Sequence, residues 1–209
     1  MCAFLATPGF ADLFSGDLTW ESTETEIVAA GIWDNTSTKV TWDVDPIDSD
    51  LDGDTDYFHY AYSFTAPAGA GSLSHFILQV SPQFETGDFW NLSTGLDFER
   101  PDDYGPGDPA NPGIPGNIWG LKFADSFSQN PITGAFEWSF DSTRVPVWGD
   151  FYAKGGTTNY AYNSGYLIEP DVEFGHIAVP DTYKVPVPGA VLLGVLGLGV
   201  VGLKLRKFA

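Results

Sequence analysis

Basic residues are scarce. The 209-residue chain has nine Lys and Arg against 28 Asp and Glu, a formal charge of −19. Lys204, Arg206 and Lys207 are three of those nine, and no acid lies beyond residue 184, so the rest of the chain carries 28 acids against six bases, or −22. Such a surface repels phosphate backbones, which argues against nucleic acid as a partner. It also opposes adsorption to anionic lipid heads, and suits solubility, repulsion between copies or divalent cations. Cysteine is nearly missing: Cys2 stands alone, so no internal disulfide can form. A 3.6-residue apolar period is missing before residue 185. So are G-x-S-x-G, a P-loop and a nucleophilic cysteine in the body. His59, His75 and His176 sit singly among strand-like segments, with no zinc spacing. These absences argue against the common hydrolase, nucleotidase and metalloenzyme designs. They predict a non-enzymatic chain.

What is present alternates. In "KVTWDV", Val40, Trp42 and Val44 share one face. In "YFHYAYSF", Phe58, Tyr60, Tyr62 and Phe64 line one face against His59, Ala61 and Ser63. Phe76, Leu78 and Val80 do so in "SHFILQV", and Phe136, Trp138 and Phe140 in "AFEWSF". "ETEIVAAGIW", "NIWGLKF", "RVPVWGDFYAK" and "DVEFGHIAV" are further strand candidates. With 24 Gly and 15 Pro to make turns, the pattern predicts an all-β fold. The expected form is an antiparallel β-sandwich of roughly eight to ten strands, jelly-roll-like first and immunoglobulin-like second. It should occupy residues 12–184. Residues 1–11 leave two readings, the remnant of an export signal or an ordinary disordered N-terminus.

Three segments offer sites. Between residues 101 and 117 five prolines interleave with glycines, which predicts a long surface loop through which no ladder runs, functional or a structural cover. Residues 43–56 hold seven aspartates. Asp48, Asp50 and Asp52 with Gly53 follow the start of a calcium loop, and Asp54 and Asp56 extend it. The twelfth position is His59 rather than Glu, so two readings stand: a weak calcium loop in a hairpin, or a solvated acidic hairpin. No other cofactor is expected. Among the aromatics, Trp119, Trp148 and Tyr152 lie beside the long loop or a turn and are the expected exposed platforms for stacking on sugar rings. Glu137 and Asp141 share a strand face, the arrangement from which a glycosidase pair would be built.

The last 25 residues differ from everything before them. Residues 185–203 carry no charge and, as a helix, would span nearly the hydrocarbon thickness of a bilayer. Lys204, Arg206 and Lys207 follow, and the positive-inside rule keeps that tip cytoplasmic. The order of Val185-Pro186-Val187-Pro188-Gly189, an apolar run "AVLLGVLGLG" and a basic tip resembles the PEP-CTERM sorting signal in its VPxPG form. Val187 stands where that family usually has Glu. The resemblance implies export by the Sec machinery, a transient stay in the inner membrane of a Gram-negative bacterium, and cutting near the proline motif by an exosortase. The product would be a cell-surface or extracellular protein, with exopolysaccharide as a further partner.

Overall fold

A computed structural model describes residues 14–23, 25–51, 53, 55–69, 73–93, 97–124, 135–168 and 174–180. The predicted sorting signal and the residues 1–11 lie outside this set. Among the described residues no helix is long and apolar enough to cross a membrane.

The fold is all-β, and every paired strand runs antiparallel to its neighbours. Sheet A has the order β1 (Gly16–Thr19), β3 (Lys39–Ile47), β4 (Tyr57–Thr65), β9 (Ala135–Ser142), β6 (Phe89–Trp90). Sheet B has the order β2 (Ile27–Ala30), β12 (Asn159–Asn163), β11 (Phe151–Gly155), β5 (Leu73–Gln79), β8 (Ile118–Ala124), β7 (Asp97–Tyr104). β10 (Pro146–Gly149) and β13 (Ile177–Pro180) form a separate ribbon. The thirteen described strands exceed the expected count because short elements such as β1 and β6 carry too few residues to show a period. "RVPVWGDFYAK" also divides at Asp150, with β10 pairing β13 and β11 pairing β5 and β12.

The apolar faces predicted by alternation meet across the interior. Tyr60, Tyr62 and Phe64 of β4 and Trp138 and Phe140 of β9 are at most 3% exposed. Trp138 packs on Phe76 of sheet B with ring centroids 4.7 Å apart, and Phe140 lies 6.0 Å from Phe123. Burying each such ring removes enough apolar surface to contribute about 2–3 kcal/mol. The ribbon closes one side: Ile177, Ala178 and Val179 are fully buried, and the Tyr62 hydroxyl donates to the Ala178 carbonyl at 3.0 Å.

The proline-rich segment requires a correction. A ladder does run into it, since β7 extends to Tyr104 and contains Pro101. β7 is the edge strand of sheet B, and its register shifts between Glu99 and Asp102, so the missing N–H falls at an irregularity where no ladder bond is required. The remainder, residues 105–117, is the structural cover. It buries Ile114 over Ile77, Tyr152 and Tyr166 on the outer face of sheet B, and the Tyr152 hydroxyl donates to the Pro112 carbonyl at 2.7 Å. Gly113 has φ +74°, and a Cβ there would sit 2.2 Å from the Tyr160 ring. The cover therefore needs glycine at that point.

Two buried polar groups stiffen the frame. Asn163 is fully buried and bridges Phe151 N, Asp150 Oδ1 and Gly175 O at 2.7–2.9 Å. Burial pushes the Asp150 carboxyl above its ordinary range. Arg144, 4% exposed, donates to the Asp88 carboxylate at 2.6 Å and the Gln83 carbonyl at 2.7 Å. This sheltered ion pair ties the turn before β6 to the end of β9.

Candidate functional site

The outer face of sheet A carries the chemistry. Its residues are the polar partners in the same alternation that builds the core. Three rows cross β3, β4 and β9 in register: Thr41, Ser63, Glu137; then Asp43, Ala61, Ser139; then Asp45, His59, Asp141. Small side chains on the central strand leave a floor, and longer ones stand around it. The result is a groove of about 570 Å³ over β3, β4 and β9, with Ser93 in its wall.

The third row is the most ordered. His59 Nδ1 lies 2.6 Å from Asp141 Oδ1, and Asn91 Nδ2 donates to Asp141 Oδ2 at 2.7 Å. Asp141 is 8% exposed and His59 38%. The carboxylate accepts the Nδ1–H and holds the ring in place on the face. Asn91 sits at φ +52°, a left-handed conformation that Asn tolerates. This directs the chain into a wall beside β9, where Ser93 N donates to Ser139 O at 2.9 Å and Ser139 N donates to Ser93 Oγ at 3.1 Å. Trp90 lies opposite Asp141 in register and is 37% exposed. Its ring meets Tyr57 edge-on at 5.4 Å. An aromatic pair therefore flanks the His59 end of the face.

Comparison with known protein families, curated proteins and solved structures finds no match. The chemistry of the groove thus rests on its own residues. A carboxylate-held imidazole is one half of an acid–base apparatus. Its hydrogen bond among the described residues goes to Asp141. Glu137 and Asp141 are four residues apart on β9, which puts their Cα atoms about 13 Å apart. The Asp141 carboxylate is bonded to both His59 and Asn91. What the groove offers plainly is a set of hydroxyls, carboxylates and one imidazole facing solvent.

Of the three expected sugar platforms, the exposure of Tyr152 is corrected. Tyr152 is fully buried beneath the proline-rich cover. Trp119 and Trp148 are half-buried against the core, and Trp148 packs on Phe14 at 5.1 Å and Trp42 at 6.1 Å. Proximity to a loop misleads here because the loop folds back over its own sheet. Trp90 takes the exposed role.

The acidic hairpin behaves differently. Oxygens of Asp48, Asp50 and Asp56 lie within 4.8 Å of one another; Asp52 and Asp54 lie outside the described residues. Asp48 accepts from Leu51 N at 2.6 Å and Gly53 N at 2.9 Å. Asp56 accepts from the amide and hydroxyl of Ser49, which hold its carboxyl below the usual range. Two of the three carboxylates thus shape the turn, and the twelfth-position His59 is bonded to Asp141. Calcium and magnesium at equal ionic strength are therefore expected to raise the melting temperature equally, by screening. The Asp50→Asn, Asp52→Asn double variant should leave both responses unchanged. A specific site would instead add about 2.7 kcal/mol for calcium alone at a hundred times its dissociation constant, and the double variant would lose that gain.

Proposed function

We propose that the chain is an exported, exosortase-sorted protein that ends as a non-enzymatic component of the cell surface or exopolysaccharide matrix. The observation that carries this is the order of residues 185–209: proline motif, apolar run, basic tip. The fold supports it. β13 ends at Pro180, so four residues separate the ribbon from Val185. They reach at most about 14 Å. A jelly-roll-like reading belongs to the same proposal, since the chain crosses repeatedly between the two sheets, at β4–β5, β5–β6, β6–β7 and β8–β9 among others.

Deleting residues 185–209 is expected to send the sandwich to the medium with no inner-membrane intermediate. Fractionation of the native host, comparing truncated and full-length proteins, tests this. Identical distributions would overturn the sorting reading.

A second reading is that the mature protein binds glycan. The groove on sheet A favours it, because convergent hydroxyl and carboxylate groups near the exposed Trp90 and half-buried Tyr57 suit a polyhydroxylated ligand.

A further inference from the structure

We propose that the outer face of sheet A is the glycan site and that it selects neutral or amino-substituted sugar chains over acidic ones. This rests on the glycan-binding reading above and adds the location and the class of ligand.

Charge gives the class. Asp43 and Glu137 stand at the groove, and among the described residues no Lys or Arg lines it. Lys39, on the same face at the end of β3, is paired with Asp17 at 3.0 Å. The carboxylate of Asp141 is already matched to His59 and Asn91. A uronate, sulfate or phosphate would enter a negative site on a strongly negative protein, and like charges brought together at an interface oppose binding. Sugar hydroxyls instead donate to the carboxylates of Asp43 and Glu137 and to Nε2 of His59. They accept from the hydroxyls of Ser63, Ser93 and Ser139. An ammonium on an amino sugar would gain a charge-assisted bond to the same carboxylates.

Geometry gives the location. The rows of Glu137 and His59 are about 13 Å apart along the strands, room for a short oligosaccharide. Trp90 and Tyr57 lie beyond the His59 end of the groove, and their apolar rings match the C–H face of a pyranose. The walls are already tied down, by Asn91 to Asp141 and by Ser93 to Ser139, so little side-chain freedom is lost on binding.

The test uses the full chain in detergent on an array of neutral, amino-substituted and uronate-containing oligosaccharides. Ala61→Trp fills the floor, Glu137→Lys reverses the charge and Trp90→Ala removes the platform. The last two change exposed side chains, so they remain informative if Ala61→Trp fails to fold. Binding to neutral or amino-substituted chains is expected, weakened about tenfold by Trp90→Ala, the loss of one stacked ring. Ala61→Trp should abolish it. Glu137→Lys should weaken the amino-substituted ligands most and admit uronates. Preference of the unaltered protein for uronates would overturn the ligand class. Binding indifferent to the folded groove variants would overturn the location. Either result leaves the glycan reading standing, whereas no binding to any chain would overturn both.

Discussion

Trp138→Ala is expected to destabilise the protein by about 3–5 kcal/mol, the cost of a large buried ring and the cavity it leaves. Trp138 is 2% exposed and stands where the two sheets meet. Its ring lies 4.7 Å from Phe76, 5.3 Å from Tyr62 and 6.0 Å from Phe123, so its loss touches three strands besides its own. β9 lies between β4 and β6 in sheet A, held by ladder bonds that limit its collapse into the void. For a domain of this size the melting temperature should fall by about 6–20 °C. Trp138→Phe should cost much less. It keeps a ring there and removes an indole N–H that is buried without a partner among the described residues. Chemical denaturation of the three proteins measures this. A loss under about 1 kcal/mol for Trp138→Ala would mean that the contact between the sheets is not what holds them.

Acidification is expected to weaken the fold between about pH 6.5 and pH 4 through one buried imidazole. His75 lies on β5 beneath the proline-rich cover and is 4% exposed. Burial lowers its pKa from 6.5 to about 4, with Lys122 of β8 and Lys154 of β11 acting in the same direction. Asn111 and Asp108 of the cover act against them, and the Tyr152 ring lies 6.0 Å away. Between the two pKa values the unfolded chain binds a proton that the folded one refuses, so stability falls as pH falls. The loss reaches about 2.5 kcal/mol at about pH 4.5. Two effects run the other way: the raised carboxyl of Asp150 takes up its proton early in the folded state, and acid relieves the −19 self-repulsion. The measurement is therefore the difference between the unaltered protein and His75→Gln from about pH 7 to about pH 4.5. Converging stabilities are expected. Parallel curves would show that His75 does not carry the acid response.

Alternation revealed the strands that bury one face. Phe58, Tyr60, Tyr62 and Phe64 turn inward as a set, and so do Val40, Trp42 and Val44. It failed where a second layer covers the other face: Ile77 and His75 are buried along with Phe76 and Leu78, because residues 105–117 fold over them. It was silent on β12, whose "NYAYN" has no aliphatic stripe, and on β7, whose composition is that of a loop. The groove was half visible. The polar face of β4 is written in His59, Ala61 and Ser63, but its neighbour depends on register, and Asp141 is 82 residues from His59. The signal available was two strands whose outward residues, His59, Ala61 and Ser63 on one and Glu137, Ser139 and Asp141 on the other, alternate with aromatics.

The ribbon strand β13 has a consequence for timing. The bond from Tyr62 to Ala178 spans 116 residues of chain, and Ile177, Ala178 and Val179 complete the core that the earliest strands begin. A chain emerging N-terminus first cannot finish that core until nearly its last described residue has appeared. Such long-range closure is slow. A protein built this way stays open through most of its synthesis and locks only as β13, the last of its described strands, arrives.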